Sequence, residues 1–405
     1  MKKYIQSFVC GFLSCGVIGL AAIVLLSYSG VLNLDGVMAG GNASLKSKIE
    51  TKATLIERYI DQYFLDEVDE EKMADSIYKG IVSGMGDEYA AYYTKDEYET
   101  ITEKTSGTYC GIGAYVTTNT ETGAITIIKP ITDGPADKAG LKAGDIIYAV
   151  DGTKVTGEDL SQVLALIKGE VGTQVKLQIV RSGESDYLDF TLTREEIKED
   201  TVNSRMLSDT IGYIQVTSFE EVTPEQFQDA LTSLQKEGMK ALVVDLRDNG
   251  GGLLNAAVDM LDMMLPKGLV VYTEDKKGVA EEYYAEDDDE IKMPVAILVN
   301  GNSASASEVF AGAMQDEQKA KLVGTTTFGK GIVQTIFDLQ DGSALKMTTS
   351  KYYTPKGRNI HGTGLKPDIE VELDKSTLQQ TDQTEQETTD NQMQKAMEYL
   401  QGELN

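Results

Sequence analysis

The sequence predicts a multidomain α/β protein: an N-terminal helical region, a β-rich middle domain with short helices, and an α/β domain with a mixed sheet. Apolar residues recur at spacings of three and four between Leu55 and Tyr63, which is typical of an amphipathic helix. From near Thr108 the pattern changes to short strands separated by turns. From Ile211 strands alternate with helices, which favours a partly parallel sheet covered by helices.

The individual elements follow from the same patterns. In the first region a second helix begins near Asp69 or Glu70, and a third covers 95–104. The middle domain is expected to hold strands at 112–116, 124–128, 146–150 and 175–180 and a helix at 160–167. The last domain is expected to hold strands at 213–216, 241–245, 269–272 and 295–299, helices at 224–237 and 253–265, and a hairpin formed by 332–339 and 344–353.

The composition limits the classes of partner. The chain has 405 residues, of which 41% are hydrophobic and 25% charged, enough for two or three globular domains. Its formal net charge of -28 argues against a nucleic-acid partner, because the phosphate backbone attracts basic surfaces.

The N-terminus differs from the rest of the chain. Lys2 and Lys3 precede an uncharged apolar run at 8–26, which is long enough to span a bilayer. The positive residues before it and Asp35 after it predict a single-pass anchor in the cell membrane, with an extracytoplasmic body. The alternative is a signal peptide cleaved after the small residues at 37–39, which would release a secreted protein.

A serine nucleophile has three candidates at the start of a predicted helix. The stretch 302–316 follows an apolar strand and carries Ser303, Ser305 and Ser307 in succession. A helix N-terminus offers N–H groups to a developing oxyanion, but serines there also serve as helix caps or small filler residues. The residues alone do not choose among the three.

A lysine is the expected base. The chain has one histidine, His361, and lysine is the known substitute in variants of the serine triad. Lys330 lies between two glycines, where burial would lower its pKa. On an extended strand Lys330, Ile332 and Gln334 face the same side, so Gln334 can orient the amine. The alternative is a surface lysine beside a glycine turn.

A glycine-rich turn at 245–252 follows one predicted strand and precedes a helix. Backbone N–H groups of such a turn can bind an anion. Because no phosphate-loop lysine or dinucleotide motif accompanies it, an oxyanion role fits better, with a tight structural turn as the alternative. No cluster of histidine and cysteine indicates zinc, and we expect neither a metal nor a cofactor.

These motifs resemble those of the C-terminal processing proteases, a family of serine-lysine peptidases that carry a PDZ domain. S-A-S-A-S-E followed by F-G-K-G-I-V-Q at this spacing carries the resemblance, which extends from about residue 55 to about residue 400. It implies that Ser305 is the nucleophile, that Lys330 is the general base, and that Gln334 assists the lysine. It also implies the donors of the oxyanion hole: Gly251 or Gly252, together with Ala306.

The middle domain resembles a PDZ domain over about 109–194, with the core pattern A-G-L-K-A-G-D at 139–145. The resemblance implies that backbone N–H groups capture the C-terminal carboxylate of a substrate while its tail adds as a β-strand. It also implies that the domain gates the active site. The substrate-binding residues are then Tyr109, Cys110, Gly111, Ile112, Gly113 and Lys168. Taken by itself, Cys110 is better explained as a small buried hydrophobic residue.

The sequence departs from the family pattern at three places. Lys168 stands where arginine is usual, which keeps the charge and loses the bidentate fork. Gly250 stands where proline is common, which predicts a looser turn. The tripeptide at 87–89, Asp-Glu-Tyr, replaces Asp-Pro-Tyr, and neither this segment nor Gly250 is expected to touch the catalytic atoms.

Together these features predict an exported serine endopeptidase that acts on proteins presented by an apolar or flexible C-terminal tail, in general degradation or in regulated signalling. The alternative is a non-catalytic PDZ scaffold. The resemblance implies a homodimer, and a regulatory adaptor is a further expected partner. The expected divisions are 1–34 for the anchor or signal peptide, 45–106 for a dimerisation or cap region, 107–196 for the PDZ domain, 197–373 for the protease core, 374–389 for a flexible linker and 390–405 for a C-terminal helix.

Overall fold

The computed structural model describes residues 43–120, 122–155, 157, 159–286, 290–374 and 390–405. The chain divides into two compact units, residues 1–76 and residues 77–405. Helix α1 is Ala43–Tyr63, and helix α2, Glu70–Ser83, crosses the division. In these described ranges, no helix is long and apolar enough to cross a membrane. The predicted span at 8–26 lies outside them.

The second unit continues with a short strand and a capped helix, β1 (Ala91–Tyr93) and α3 (Lys95–Ser106). The N–H of Thr94 donates to the carboxylate of Glu97 at 2.9 Å, in the reciprocal pattern that starts many helices. Gly107, with φ 67°, ends the helix in the left-handed conformation. The predicted third helix is therefore confirmed and is two residues longer.

The middle of the chain forms an antiparallel sheet of strand order β3-β4-β5-β7-β8, with β6 on β5 and a separate pair β2–β9. Its elements are β2 Thr108–Gly111, β3 Ala114–Thr118, β4 Ile125–Pro130, α4 Pro135–Lys138, β5 Ile146–Val150, β6 Thr153–Lys154, α5 Leu160–Ile167, β7 Gln174–Val180, β8 Leu188–Thr193 and β9 Glu195–Lys198. The expected strand at 112–116 was wrong at its start, because Gly113 has φ 66° and separates β2 from β3. Strand β3 lies at the edge of its sheet.

The last domain is built on a mixed sheet of order β10-β11-β12-β15-β16-β19, in which β10 is antiparallel and the others are parallel. Its elements are β10 Val202–Met206, β11 Ile211–Val216, α6 Thr223–Lys236, β12 Ala241–Asp245, α7 Leu254–Asp262, β13 Gly268–Asp275, β14 Gly278–Ala285, β15 Val295–Val299, α8 Ala306–Asp316, β16 Ala320–Gly324, β17 Ile332–Asp338, β18 Ala344–Tyr353, β19 Ile369–Glu370 and α9 Asn391–Leu404.

Both faces of this sheet are buried. Leu242 and Val244 of β12 pack in the cluster that contains Phe227 of α6 and Phe310 of α8. The intervening residue Val243 packs on the other face, in the cluster that includes residues of α9. Because both faces are buried, the sequences of β12 and β15 are almost continuously apolar.

A second sheet of order β1-β18-β13-β14 carries β17 along β18. The predicted hairpin is confirmed, since β17 and β18 pair in antiparallel fashion and the N–H of Leu339 donates to the carbonyl of Ser343 at 3.0 Å. The pairing contains a register shift between Val333 and Gln334.

The C-terminal helix α9 docks on the mixed sheet. Its residues Met393, Ala396 and Leu400 are buried against β11, β12, β15 and β16. Most of the predicted linker, 375–389, lies outside the described residues.

Candidate active site

Three neighbouring parallel strands bring the predicted catalytic segments together. Strand β12 is followed by the glycine turn, β15 by the serine segment, and β16 by the loop that contains Lys330. Because β12, β15 and β16 are adjacent and parallel, their carboxyl ends meet at one edge of the sheet, the usual place for a site in such a fold.

Hydrogen bonding separates the three candidate serines. The buried hydroxyl of Ser303 donates to the carbonyl of Leu246 at 2.7 Å, and that of Ser307 donates to the carbonyl of Asn249 at 2.9 Å. Both bonds fasten the serine segment to the glycine turn. For Ser305 no such donation is recorded within the described residues. The structure thus gives Ser303 and Ser307 structural roles and leaves Ser305 as the candidate nucleophile.

Ser305 has an unusual backbone at the start of α8, with φ 56° and ψ -116°. A non-glycine residue at positive φ is strained and persists only where its surroundings hold it. The carbonyl of Ser305 accepts the hydroxyl of Tyr352 at 3.1 Å, and its N–H donates to Glu308 at 2.9 Å. The sharp turn presents the side chain at a helix N-terminus, as in the nucleophile elbows of serine hydrolases.

The fully buried carboxylate of Glu308 joins the serine turn to the lysine loop. Its Oε2 accepts the N–H groups of Ser305 and Lys330, each at 2.9 Å. Its Oε1 accepts the N–H of Gly329 at 2.8 Å and the hydroxyl of Thr327 at 2.5 Å. One carboxylate therefore binds the main chains of both candidate catalytic residues, Ser305 and Lys330. Sequence analysis missed it, although the S-x-x-E spacing from Ser305 is a capping-box signal.

Lys330 lies in surroundings that favour the neutral amine. It is half-buried, and burial lowers the pKa of its ammonium, an effect to which the charge of Lys346 on β18 adds. Its Nζ lies 4.8 Å from the centre of the Tyr89 ring. The expectation that the 87–89 segment does not touch the catalytic atoms was therefore wrong. Tyr89 is distant from Lys330 in sequence, and no local signal predicted the contact.

The geometry expected for Gln334 does not hold. Lys330 precedes β17, and the register shift at Val333 breaks strict alternation, so the argument that Lys330 and Gln334 share one face of a strand does not hold. The side-chain amide of Gln334 donates to the hydroxyl of Thr348 at 3.4 Å. That hydroxyl in turn donates to the carboxylate of Asp87 at 3.2 Å, so the 87–89 segment supports Gln334 as well as Lys330.

The glycine turn lies directly against Ser305. A Cβ placed on Gly251 would lie 2.8 Å from Cβ of Ser305 and 2.9 Å from the nitrogen of Ala306. The N–H of Gly251 donates to the side chain of Asn249 at 2.8 Å. Within the described residues, the N–H groups of Gly252 and Ala306 have no hydrogen-bond acceptor. The turn is not loose at Gly250, because the buried Asn249 side chain also donates to the carbonyl of Val216 at 2.8 Å.

The middle domain contains a groove between the edge strand β3 and α5. Its cavity of about 380 Å³ has an apolar floor that includes Ile112, Ile131, Leu164 and Ile167. Tyr109, Gly111, Gly113 and Lys168, predicted to bind substrate, also line it. Cys110 does not line this cavity; it lies in β2 opposite Glu196 of β9, and its side chain is partly exposed rather than fully buried.

The side chains at the mouth of the groove form a charged cluster. The ammonium of Lys168 pairs with Glu103 of α3 and lies 5.4 Å from the centre of the Tyr109 ring. Burial, with a contribution from the charge of Glu199, raises the pKa of Tyr109 to about 12. Arg194 holds the end of α5 through the carbonyls of Ile167 and Leu166, at 2.8 and 3.0 Å.

Comparison with known proteins gives the following similarities. A model of peptidase family S41 matches residues 210–371, and a PDZ domain model matches residues 126–181. The chain is 35% identical over 374 residues to the carboxy-terminal processing protease CtpA of Bacillus subtilis, covering 92% of this chain and 78% of that protein. It is also 35% identical over 362 residues to the carboxy-terminal-processing protease of Bartonella bacilliformis, covering 88% and 82%. Among solved structures, the photosystem II D1 C-terminal processing protease matches with 31% identity, 82% and 89% coverage and a TM-score of 0.48.

The mixed sheet, the serine turn at its edge and the PDZ domain define a serine-type peptidase of family S41. Within that class, the chain belongs to the carboxy-terminal processing proteases.

Proposed function

We propose that Ser305, Lys330 and Gln334 form the catalytic set of an endopeptidase that acts on proteins captured by their C-terminal tails. The observation that carries this proposal is the buried carboxylate of Glu308, which binds the main chains of Ser305 and Lys330 through one oxygen. It is supported by the lowered pKa of Lys330, which burial causes.

The proposed reaction begins when Ser305 Oγ attacks the carbonyl carbon of the scissile peptide and its proton passes to Lys330 Nζ. The tetrahedral intermediate places its negative oxygen at the N–H groups of Gly252 and Ala306, at the positive end of α8. Lys330 then gives the proton to the leaving amine, and water hydrolyses the ester. Gln334 positions the amine without charging it.

The groove beside β3 supplies the recognition step. An extended tail adds to the free edge of β3, its terminal side chain enters the apolar cavity, and backbone N–H groups of the 111–113 loop hold the carboxylate. Lys168, in place of arginine, contributes charge beside the same loop. In this proposal an occupied groove opens the catalytic site.

The cellular setting belongs to the same proposal. The apolar run at 8–26 anchors the chain in the cell membrane, and the PDZ and peptidase domains lie outside the cytoplasm. The enzyme acts as a homodimer, in general degradation or in a signalling pathway in which an adaptor opens the gate. Sequencing the mature N-terminus tests the anchor: a start at Met1 supports it, whereas a start near Gly40 shows cleavage and secretion.

The catalytic assignment is tested by following cleavage of the unfolded protein β-casein by the full-length chain. Ser305→Ala and Lys330→Ala should each lower kcat/KM by about a thousandfold or more, since each removes a group that acts in the transition state. Ser233→Ala is the control, because Ser233 is exposed on α6, outside the serine segment and the glycine turn, and its hydroxyl donates to the carboxylate of Glu237. If Ser305→Ala keeps its activity, Ser305 is not the nucleophile. A native chain that is inactive even with tail peptides added supports the scaffold alternative.

A further inference from the structure

Two acidic side chains line the groove beside its apolar floor. Glu199 and Asp200, from the segment that follows β9, border the same cavity as Ile131 and Leu164. In the part of the chain that the structure describes, neither carboxylate forms an ion pair. The adjacent Lys198 is paired with Glu225 at 2.7 Å. The groove therefore combines apolar lining with two carboxylates that have no cationic partner.

The position of these carboxylates is fixed relative to β3. Ala114 and Val116 pack against the domain core, whereas Tyr115 between them is exposed on the opposite side of the strand. Tyr115 borders the same cavity as Glu199 and Asp200. Burial raises the pKa of Tyr115, and the charges of Asp200 and Glu199 and a hydrogen bond to Asp200 add to this effect. The acidic pair thus lies on the Tyr115 side of the edge strand.

An extended peptide on β3 presents its side chains alternately to the two sides. If the terminal side chain enters the apolar cavity, the penultimate side chain points to the side occupied by Tyr115, Glu199 and Asp200. A lysine or arginine there gains two acidic charge partners, whereas an acidic residue meets like charges. The ammonium of Lys129 already lies 5.2 Å from the centre of the Tyr115 ring, so the two carboxylates rather than the ring carry the expected preference.

We propose that Glu199 and Asp200 are specificity-determining residues that select substrate tails with lysine or arginine at the penultimate position, before an apolar C-terminal residue. This inference rests on the proposed capture of C-terminal tails by the groove. It adds a side-chain preference that carboxylate capture alone does not give.

The test measures peptide binding to the full-length chain with the substitution Ser305→Ala, which prevents turnover. Fluorescein-labelled peptides of about ten residues end in Ala-Lys-Val, Ala-Ala-Val or Ala-Glu-Val, and a fourth ends in Ala-Lys-Val amide; binding is read by fluorescence anisotropy. The lysine peptide should bind about tenfold more tightly than the glutamate peptide, with alanine between them, because each exposed charge contact contributes modestly. The ratio should shrink at about 0.5 M salt.

The double substitution Glu199→Gln with Asp200→Asn should reduce the ratio between the lysine and glutamate peptides to below about twofold. The matched control is Glu184→Gln with Glu196→Gln, which changes the net charge equally at positions outside the cavity lining and should leave the ratio unchanged.

Equal binding of the lysine and glutamate peptides overturns the inference, as does discrimination that survives the double substitution or is lost equally in the control. The amide peptide distinguishes failure of the penultimate preference from failure of tail capture. If binding requires the free carboxylate but does not depend on the penultimate residue, only the specificity inference fails. If the amide binds as well as the acid, or if no peptide binds, the capture of tails by this groove fails with it.

Discussion

At the residue scale, the candidate site depends on contacts between segments far apart in the sequence. Ser303 and Ser307 bond to carbonyls of the glycine turn, and Glu308 bonds to the loop of Lys330. These bonds help to hold Ser305 in its strained conformation, and they give Ser303 and Ser307 structural roles beside the candidate nucleophile.

Gly251 and Gly250 offer a test of this packing. Gly251→Ala should lower kcat/KM by about a hundredfold or more, because the new Cβ lies 2.7 Å from the carbonyl oxygen of Ala304 and 2.8 Å from Cβ of Ser305. Its φ of 101° is also strained for alanine. Gly250 has no atom within 4 Å of a new Cβ, and its φ is not in the left-handed region. Gly250→Ala should therefore retain activity and raise the free energy of unfolding by about 0.5 kcal/mol.

Casein cleavage and thermal unfolding of both variants check this pair. An active Gly251→Ala enzyme would show that the turn moves away from Ser305 without cost. An inactive but folded Gly250→Ala enzyme would show that flexibility at this position is needed for turnover.

The site was predictable from the sequence only in part. The motifs indicated Ser305 and Lys330, and the glycine turn that they accompany lies against Ser305 in the structure. The contacts of Tyr89 and Asp87 were not predictable, because they join the segment after α2 to Lys330 before β17 and to Thr348 of β18 through the tertiary fold alone. The register shift at Val333 could not be predicted either, because it arises from the pairing of β17 with β18.

At the element scale, strand β18 affects the pKa of Lys330, although Lys330 does not lie on this strand. Lys346 of β18 places a second positive charge near Lys330 and lowers its pKa, after the larger effect of burial. Lys346→Gln should raise the pKa of Lys330, so a larger fraction stays protonated at a given pH. The acidic limb of the pH profile of kcat/KM should shift to higher pH, and activity at pH 7 should fall about two- to fivefold.

The control for this shift is Lys351→Gln, which removes an exposed lysine from the same strand. Its pH profile should match that of the native enzyme. A profile unchanged in Lys346→Gln, or shifted equally in both variants, would contradict the assignment of Lys330 as the titrating base.

Elements were predicted best where apolar runs are bounded by turn residues. Strands at Ala241–Asp245, Val295–Val299 and Ala344–Tyr353 and the helix at Leu160–Ile167 have the expected bounds. Strands such as β9 and β10 escaped prediction because they are rich in polar and charged residues and are held by pairing rather than by an apolar pattern.

At the scale of the whole molecule, the mixed sheet depends on helices on both faces. Leu400 of α9 is fully buried in the cluster that covers one face, whereas Leu404 of the same helix is 37% exposed. Leu400→Ala should lower the free energy of unfolding by about 2–5 kcal/mol, the range for a leucine truncated in a packed core.

Leu404→Ala is the matched control and should change the free energy of unfolding by less than about 0.5 kcal/mol. Urea unfolding followed by circular dichroism measures both. Equal effects of the two substitutions would show that α9 is not held on the sheet in solution.

The docking of α9 also determines the order in which the enzyme can be completed during synthesis. Strands β11, β12, β15 and β16 leave the ribosome before the helix that covers them, and residues 375–389 must emerge between. Until then the residues that α9 buries, such as Val243 and Leu298, face solvent. An ion pair adds to this dependence, because Arg247 of the glycine turn binds Asp390 at 2.7 Å. A nascent chain interrupted before residue 390 therefore carries every proposed catalytic residue while one face of its sheet lacks the helix that covers it.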